Sequence, residues 1–382
     1  MDNEQFIIPE FEKYIRATEP DVRERANAWR TAIGLQQVDG LTVSDYLRQT
    51  ATQNIEGHIN IDEAARLVKT YYQIKQERLP DDDEKEEADK VATNIARLLY
   101  EQSFTYSVAG FASIHRKIFN GVFKHAGTFR QYDITKKEWV LDGDTVLYAN
   151  WQDLNMAVDY DLKQEKQFDY SGLTQSQIIE HIADFVAGLW QIHPFAEGNT
   201  RTTAIFTIKY LRSIGFTDVN NSLFEQHSWY FRNALVRANY KNAQKNISPD
   251  KSFLIAFFRN LLLNEHNPLH NRQMHITWEP DNTPTSTPTS TPTSTPTSNI
   301  SKIDNDNIKR IINAIGRHKL SIKEIMHIID LKDRKNFMEY SLNPAIKQGY
   351  VRMLYPDSPR HPRQKYLLTV KGITIYNSMN NN

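Results

Sequence analysis

The sequence predicts an all-α helical bundle interrupted by one β-hairpin, followed by a small winged-helix (α+β) domain. Three observations carry that prediction. Apolar residues recur at helical spacing through most of the first 265 positions. One stretch, residues 132–148, instead holds two short β-prone runs joined by an Asp-Gly pair. Four uninterrupted Thr-Pro-Thr-Ser repeats, Thr283–Ser298, then separate a large N-terminal portion from a basic tail.

Taken in order, helices are expected at Asp62–Glu77, Glu86–Glu101 and Tyr106–Phe119. The charge run Asp81–Lys90 reads as a solvated loop leading into the second of these. In the hairpin, Trp139-Val140-Leu141 and Thr145-Val146-Leu147-Tyr148 flank Asp142-Gly143. Gln175–Trp190 places Ile178, Ile179, Ile182, Phe185, Val186, Leu189 and Trp190 on one helical face. A further helix spans Thr200 to Ser213, with Ile205, Ile208 and Leu211 inward and Gly215 just past its end. Phe224–Tyr240 and Lys251–Leu263 complete the set.

Proline at every fourth position excludes helix and sheet from Thr283–Ser298, so the repeats read as a tether. As polyproline II at ~3.1 Å per residue they would span roughly 50 Å. Beyond them, residues 301–382 carry 15 Lys and Arg against 7 Asp and Glu, a formal +8. Helical patterns at Asp306–Ile315, Ser321–Ile329 and Lys335–Gln348 precede two short runs, Tyr350–Tyr355 and Lys365–Val370. Three helices and a basic two-stranded wing give a winged-helix-like module that could meet DNA. The resulting division is 1–104, an N-terminal helical region; 105–265, the main domain; 266–300, the linker; and 301–382.

Forty-six basic and 46 acidic residues give zero formal net charge, so the segments outside 301–382 carry −8. The absence of cysteine excludes disulfides, thiolate metal sites and a cysteine nucleophile. The N-terminus bears acids where a secretory signal needs Lys or Arg, and no run reaches the roughly 18–20 apolar residues of a membrane helix. A cytoplasmic protein with no membrane partner is the expectation.

Chemistry concentrates in His193-Pro194-Phe195-Ala196-Glu197-Gly198-Asn199-Thr200-Arg201, between two expected helices. A helix N-terminus offers unpaired N–H groups and partial positive charge, both suited to phosphate. Glycine admits close approach of an anion. Asn199 can cap the helix or donate to phosphate, and Arg201 supplies a bidentate cation. Glu197 beside a phosphate site suits a bridging divalent cation. His193 can take a proton from an attacking hydroxyl. Taken singly, His-Pro is usually a turn and Gly-Asn a cap. Five chemically matched residues within nine positions point to a site.

The segment resembles the signature of the Fic family, His-x-Phe-x-Asp/Glu-Gly-Asn-Gly-Arg-x-x-Arg. The resemblance extends to Ile114–Phe119, to His125–Arg130 and to Tyr230–Leu235, covering about residues 105–265. It implies a helical bundle with a β-hairpin flap, and a protein adenylyltransferase moving AMP from ATP to Tyr, Thr or Ser hydroxyls. By position, His193 would be the base and Glu197 the Mg2+ ligand. Gly198, Asn199, Thr200 and Arg201 would line the nucleotide phosphates, and residues 132–148 would hold the target by strand addition. Partners implied are a hydroxyl-bearing protein, the chain itself as a target, and a homodimer as an open expectation. Thr200 and Ala204 depart from the pattern, replacing the second glycine and second arginine, which leaves the donor nucleotide open.

Thr52-Gln53-Asn54-Ile55-Glu56-Gly57 is similar to the self-inhibitory helix motif of some Fic proteins. It implies that Glu56 restrains the site, with Arg201 as its partner in place of the missing arginine. An ordinary helix end is the competing reading. Two other functions stay open: a DNA-binding regulator whose Fic-like domain senses a nucleotide, and an enzyme using another nucleotide or phosphoryl donor.

Overall fold

Ser44, Asn60, Ser107 and Thr174 each accept a hydrogen bond from the backbone N–H three residues on, and so set where four of the helices begin. Thr174 closes a full capping box with Gln177. The computed structural model describes residues 9–16, 19–75, 77, 79–216, 219, 222–279, 303, 305–356 and 358–380. In chain order the larger part contains α1 (Pro9–Ile15), α2 (Pro20–Gly34), α3 (Asp45–Ile55), α4 (Ile61–Ile74), α5 (Asp82–Tyr100) and α6 (Val108–Ile118). There follow α7 (Leu154–Gln167), α8 (Gln175–Ile192), α9 (Asn199–Ser213), α10 (Ser222–Asn239) and α11 (Ser252–Leu263). The repeats Thr283–Ser298 lie outside the described residues.

A single hydrophobic core runs from Phe11 to Met274, so the N-terminal helices pack into the main bundle. Helix α2 lies along α5 and crosses α10 at Gly34, where a Cβ would stand 2.3 Å from the Glu225 Cα. Arg30 of α2 pairs with fully buried Glu225 at 2.5 Å and with Glu12 at 3.0 Å. Trp29, fully buried, donates from Nε1 to Asn54 Oδ1 at 2.9 Å and so fixes α3 against α2. Helix α9 is the axis of the bundle, buried at every position from Asn199 to Leu211.

Two local expectations are corrected. The charge run Asp81–Lys90 is helical from Asp82 onward, because its acids have work at the helix start. Asp82 accepts from the Leu79 N–H and from Lys75, each at 2.6 Å. Fully buried Asp89 accepts from the Ser44 N–H and hydroxyl and from the Tyr72 hydroxyl. Segment 132–148 does reverse at Asp142-Gly143, both at positive φ, but it forms no strands. Trp139–Leu141 is a 3-10 turn instead, and the Val140 carbonyl accepts from the Ile276 N–H at 2.9 Å. That outside contact takes the backbone group a ladder would use.

A second, separate core serves α12 (Asp306–Ile315), α13 (Ile322–Ile328), α14 (Arg334–Phe337) and α15 (Asn343–Lys347), with a π-helical turn Met338–Leu342 between the last two. Strands β1 (Val351–Met353) and β2 (Tyr366–Leu368) pair antiparallel, Arg352 opposite Leu367, and α16 (Val370–Asn380) closes the domain. Where it meets the bundle, Gly215 leaves room for Thr369 and the Gly349 carbonyl, both within 2.5 Å of a notional Cβ. No helix among the described residues is long and apolar enough to cross a membrane.

Replacing Trp29 with Ala removes a buried ring and its hydrogen bond, and should cost about 3–5 kcal/mol of unfolding free energy. Chemical denaturation reads this directly. A change below 1 kcal/mol would show that the N-terminal helices do not share the bundle's cooperative core.

Candidate functional site

Helix α8 stops at Ile192 because His193 turns into the left-handed region at φ 51°. A non-glycine residue holds that conformation only where its surroundings impose it. Arg130, almost fully buried, does so. Its Nε donates to the His193 carbonyl at 2.9 Å and Nη1 to the Tyr132 carbonyl at 2.7 Å, while Nη2 reaches the carbonyls of Ala149 and Ile192. The Arg130 N–H also donates to the Pro194 carbonyl at 2.9 Å.

The His193 ring lies between Tyr148, 4.3 Å away and tilted, and the edge of Trp190 at 5.2 Å. It is only 3 % exposed, and neither ring nitrogen has a hydrogen-bond partner in the protein. Burial first, then the charge of Lys136, holds its pKa well below the usual imidazole value. The ring is therefore neutral at physiological pH, with both nitrogens uncommitted. Tyr148 is positioned in turn by Glu138, 3.4 Å from its hydroxyl, and Glu138 pairs with Arg232 at 2.7 Å.

The loop after His193 is pinned from below by His115. The Gly127 N–H donates to His115 Nδ1 at 2.8 Å, so Nε2 carries the proton given to the Glu197 carbonyl at 3.0 Å. Burial pushes the His115 pKa down to about 4 and keeps this tautomer neutral. The Glu197 carboxylate itself is exposed. Among the described residues no three His, Cys, Asp or Glu side chains gather as a metal cluster. A single free carboxylate beside an uncapped helix N-terminus fits Mg2+, which would draw its remaining ligands from phosphate oxygens and water.

Gly198, at φ 71°, begins α9 without a side-chain cap, and a Cβ there would lie 2.1 Å from the Phe119 ring. The amides of Asn199, Thr200 and Arg201 occupy the first turn, where no intrahelical acceptor exists. Their side chains have partners within the protein. Asn199 bridges the Phe195 N–H and carbonyl at 2.9 and 2.7 Å. The Thr200 hydroxyl accepts from Trp190 Nε1 at 2.9 Å. Arg201 donates to Gln36 Oε1 at 3.0 Å and Glu87 Oε1 at 3.1 Å over the Phe119 ring. Its Nε stands 2.9 Å from Asp39 Oδ2, at ion-pair distance without the alignment of a hydrogen bond.

The expected pairing of Glu56 with Arg201 is not formed. Gly57 does end α3 at φ 81°, leaving Glu56 at the tip. There Glu56 accepts from the Tyr14 hydroxyl and lies 3.9 Å from Lys13 and 3.5 Å from His58. The acids on Arg201 come instead from the 3-10 turn after α2 and from α5. Sequence reasoning also gave no role to Arg130, Tyr148, His115 or Lys136. Arg130 and His115 lay in segments already singled out, but only packing shows what each one holds. A separate cleft of about 830 Å³, lined by residues such as Arg23, Phe104, Lys209 and Arg212, shares no residue with this loop.

Arg130→Met should leave two buried and two part-buried carbonyls without their donor, at about 1–3 kcal/mol for each buried group left unsatisfied. A lowered melting temperature together with increased solvent exchange of the His193 region would be the signature. Retention of wild-type stability would remove Arg130 from the role assigned here.

Residues 105–211 match the model of the Fic/DOC family, and residues 306–369 match that of the C-terminal domain of Fic-like proteins, "filamentation induced by cAMP protein Fic-like". No match is found among the curated proteins. A Fic family protein from Desulfovibrio desulfuricans G20 is 16% identical, with 95% of this chain and 93% of that one covered and a TM-score of 0.42. The BepC protein of Bartonella tribocorum, a translocated effector solved with bound AMPPNP, is 18% identical at a TM-score of 0.36, covering 48% and 87%. The N-terminal Fic domain of a Bartonella quintana protein is 20% identical at a TM-score of 0.30, covering 37% and 68%. Likenesses this distant transfer no residue roles.

Proposed function

This chain is a Fic/DOC-family protein through its central domain, a family whose members are typically transferases using nucleotide substrates, and we propose that it moves AMP from ATP onto a protein hydroxyl. The observation that carries this reading is a buried, neutral His193 with both ring nitrogens uncommitted, at the mouth of an uncapped helix N-terminus. A target Tyr, Thr or Ser hydroxyl gives its proton to His193 as its oxygen attacks the α-phosphorus. The bond from that phosphorus to the bridging oxygen breaks, and pyrophosphate leaves. The first-turn amides of α9 hold phosphate oxygens, aided by the helix dipole. Glu197 would hold Mg2+, which supplies neutralisation of phosphate charge. Lys136, half-buried on segment 132–148, adds positive charge close enough to depress the His193 pKa.

The target is a protein segment lying along 132–148, with the chain itself among the substrates. Leu147, 83 % exposed, and Tyr132, 55 % exposed, offer apolar contacts there. Nothing in loop 193–201 reads a nucleobase, and Ala204 is fully buried within α9, so another nucleoside triphosphate or phosphoryl donor is the alternative that competes with ATP. Incubation with each α-labelled and γ-labelled NTP and Mg2+ separates them. Covalent label from α-labelled ATP supports the proposal, and label from the γ position alone would replace it with phosphoryl transfer.

His193→Ala should lower transfer about 10²–10⁴-fold, the usual loss for a general base, while nucleotide binding persists. Undiminished labelling would end the mechanism. His193 must be neutral to accept a proton, and its pKa is depressed, so activity should survive as pH falls through 6.5 and fail only below. A pH–rate profile whose acid limb has its midpoint at or above 6.5 would contradict that. Glu56→Gly should leave autolabelling at the wild-type rate, because Glu56 is turned toward Tyr14. A tenfold rise would show that α3 reaches the site in solution.

A further inference from the structure

The C-terminal domain has a strand order that its two strands alone do not reveal. Leu320 forms an isolated bridge with Tyr366, exchanging both backbone hydrogen bonds at 3.0 and 2.7 Å. With β1 paired to the other edge of β2, the order across the sheet is Leu320, β2, β1. Helix α12, this edge residue, α13, the helical run α14–α15, β1, the loop to β2 and then α16 follow one another along the chain. That is the connectivity of a winged helix-turn-helix, in which the second helix of the pair enters a groove of the duplex and the wing follows the backbone.

The side chains agree with the topology. Along 334–347, Phe337, Ser341, Leu342 and Ala345 face the core. The opposite face presents Arg334, Lys335, Asn336, Glu339, Tyr340 and Asn343, all exposed in the intact chain. Tyr340 is 56 % exposed, an open aromatic on an otherwise polar face. Asn and Glu side chains can read adenine and cytosine edges, and Arg and Lys reach phosphates or guanine. On the wing side, Arg352, Arg360 and Arg363 are exposed. Among the described residues none of Arg334, Lys335, Arg352, Arg360 or Arg363 takes part in an ion pair, whereas most charged residues along α4 and α5 are paired. Unpaired cations on two adjoining elements of a +8 domain are charge for which the protein supplies no counterpart.

We propose that the C-terminal domain binds duplex DNA, with the exposed face of helix 334–347 in the major groove and Arg352, Arg360 and Arg363 on the phosphate backbone. The groove, ~12 Å wide, admits one α-helix. The inference is independent of the transfer reaction, since no residue of loop 193–201 takes part.

The test uses the full-length protein and a fluorescein-labelled 30-base-pair duplex of mixed sequence, followed by anisotropy. Binding is expected at 50 mM salt. If about five phosphates are neutralised, affinity should fall roughly 500-fold between 50 and 200 mM salt, from the slope of about −0.9 per phosphate. Arg334→Glu with Lys335→Glu, and separately Arg352→Ala with Arg363→Ala, should each weaken binding tenfold or more with an unchanged melting temperature. His193→Ala should bind as the wild type does. Absence of binding at 50 mM salt would overturn the proposal. So would wild-type binding by both variants, tighter binding of single-stranded RNA, or an equal loss from Lys163→Glu, an exposed cation on α7.

Discussion

Everything at the candidate site hangs on one buried guanidinium. Arg130 pairs with one carboxylate, exposed Asp133 at 3.6 Å, while its donors go to the carbonyls of residues 132, 149, 192 and 193. Those carbonyls come from three stretches, the end of α8, the start of segment 132–148 and its return. A planar cation with five fixed donors can join three irregular strands of backbone where no regular ladder exists. The left-handed turn at His193 follows, because its carbonyl is held where a helical residue's would not be. The imidazole is then displayed toward Tyr148 instead of continuing the face of α8. Burial lowers the Arg130 pKa from the ordinary guanidinium value.

The N-terminal helices belong to the same apparatus. Arg201 would be an uncompensated charge inside the bundle without Gln36, Asp39 and Glu87, and those residues are presented by the turn after α2 and by α5. Breaking such a set leaves a buried cation alone, which is far more costly than the set is stabilising. This explains how Arg201 can be buried at 2 % exposure and still be charged. In the proposed reaction, phosphate contacts would therefore fall to the α9 amides. Backbone N–H groups need no side chain to be free, whereas the side chains of Asn199, Thr200 and Arg201 are already bound.

Much of this was legible in the sequence, and the parts that were not share a cause. Helices α8, α9, α11 and α12 carry dense aliphatic faces, so periodicity located them to within a residue or two. Helix α2 did not, because its buried side is Ala26, Ala28, Trp29, Arg30, Thr31 and Ala32, small and polar groups whose burial depends on partners distant in sequence. Asp89 is hidden in a charge run for the same reason. The nine-residue loop announced its chemistry by residue type, yet side-chain direction within it was unreadable. Thr200 shows why. It replaces the second glycine of the motif, yet among the described non-glycine residues positive φ occurs at five positions and Thr200 is not one of them. At the second position of a helix the backbone is ordinary, and a threonine costs nothing while its hydroxyl receives the Trp190 proton. Gly198 is the residue whose lack of a Cβ is obligatory, because the Phe119 ring fills that space.

Zero net charge conceals a division of labour between the two cores. The residues outside 301–382 sum to −8 and the tail to +8. A bundle of that sign repels nucleic acid at long range, so a polyanion approaching the molecule is steered to one end. At the site itself the local balance is reversed. Lys136, Arg130 and Arg232 all act to lower the His193 pKa, and the exposed Glu197 is the acid of the loop. A small triphosphate, screened from the bulk negative surface beyond ~8–10 Å at physiological salt, would respond to these near charges and to the α9 amides. A duplex, which spans many Debye lengths, responds to the whole face it meets. Under the two proposals the same chain would attract two anions of different size to two places, because screening lets each one sense charge only on its own scale.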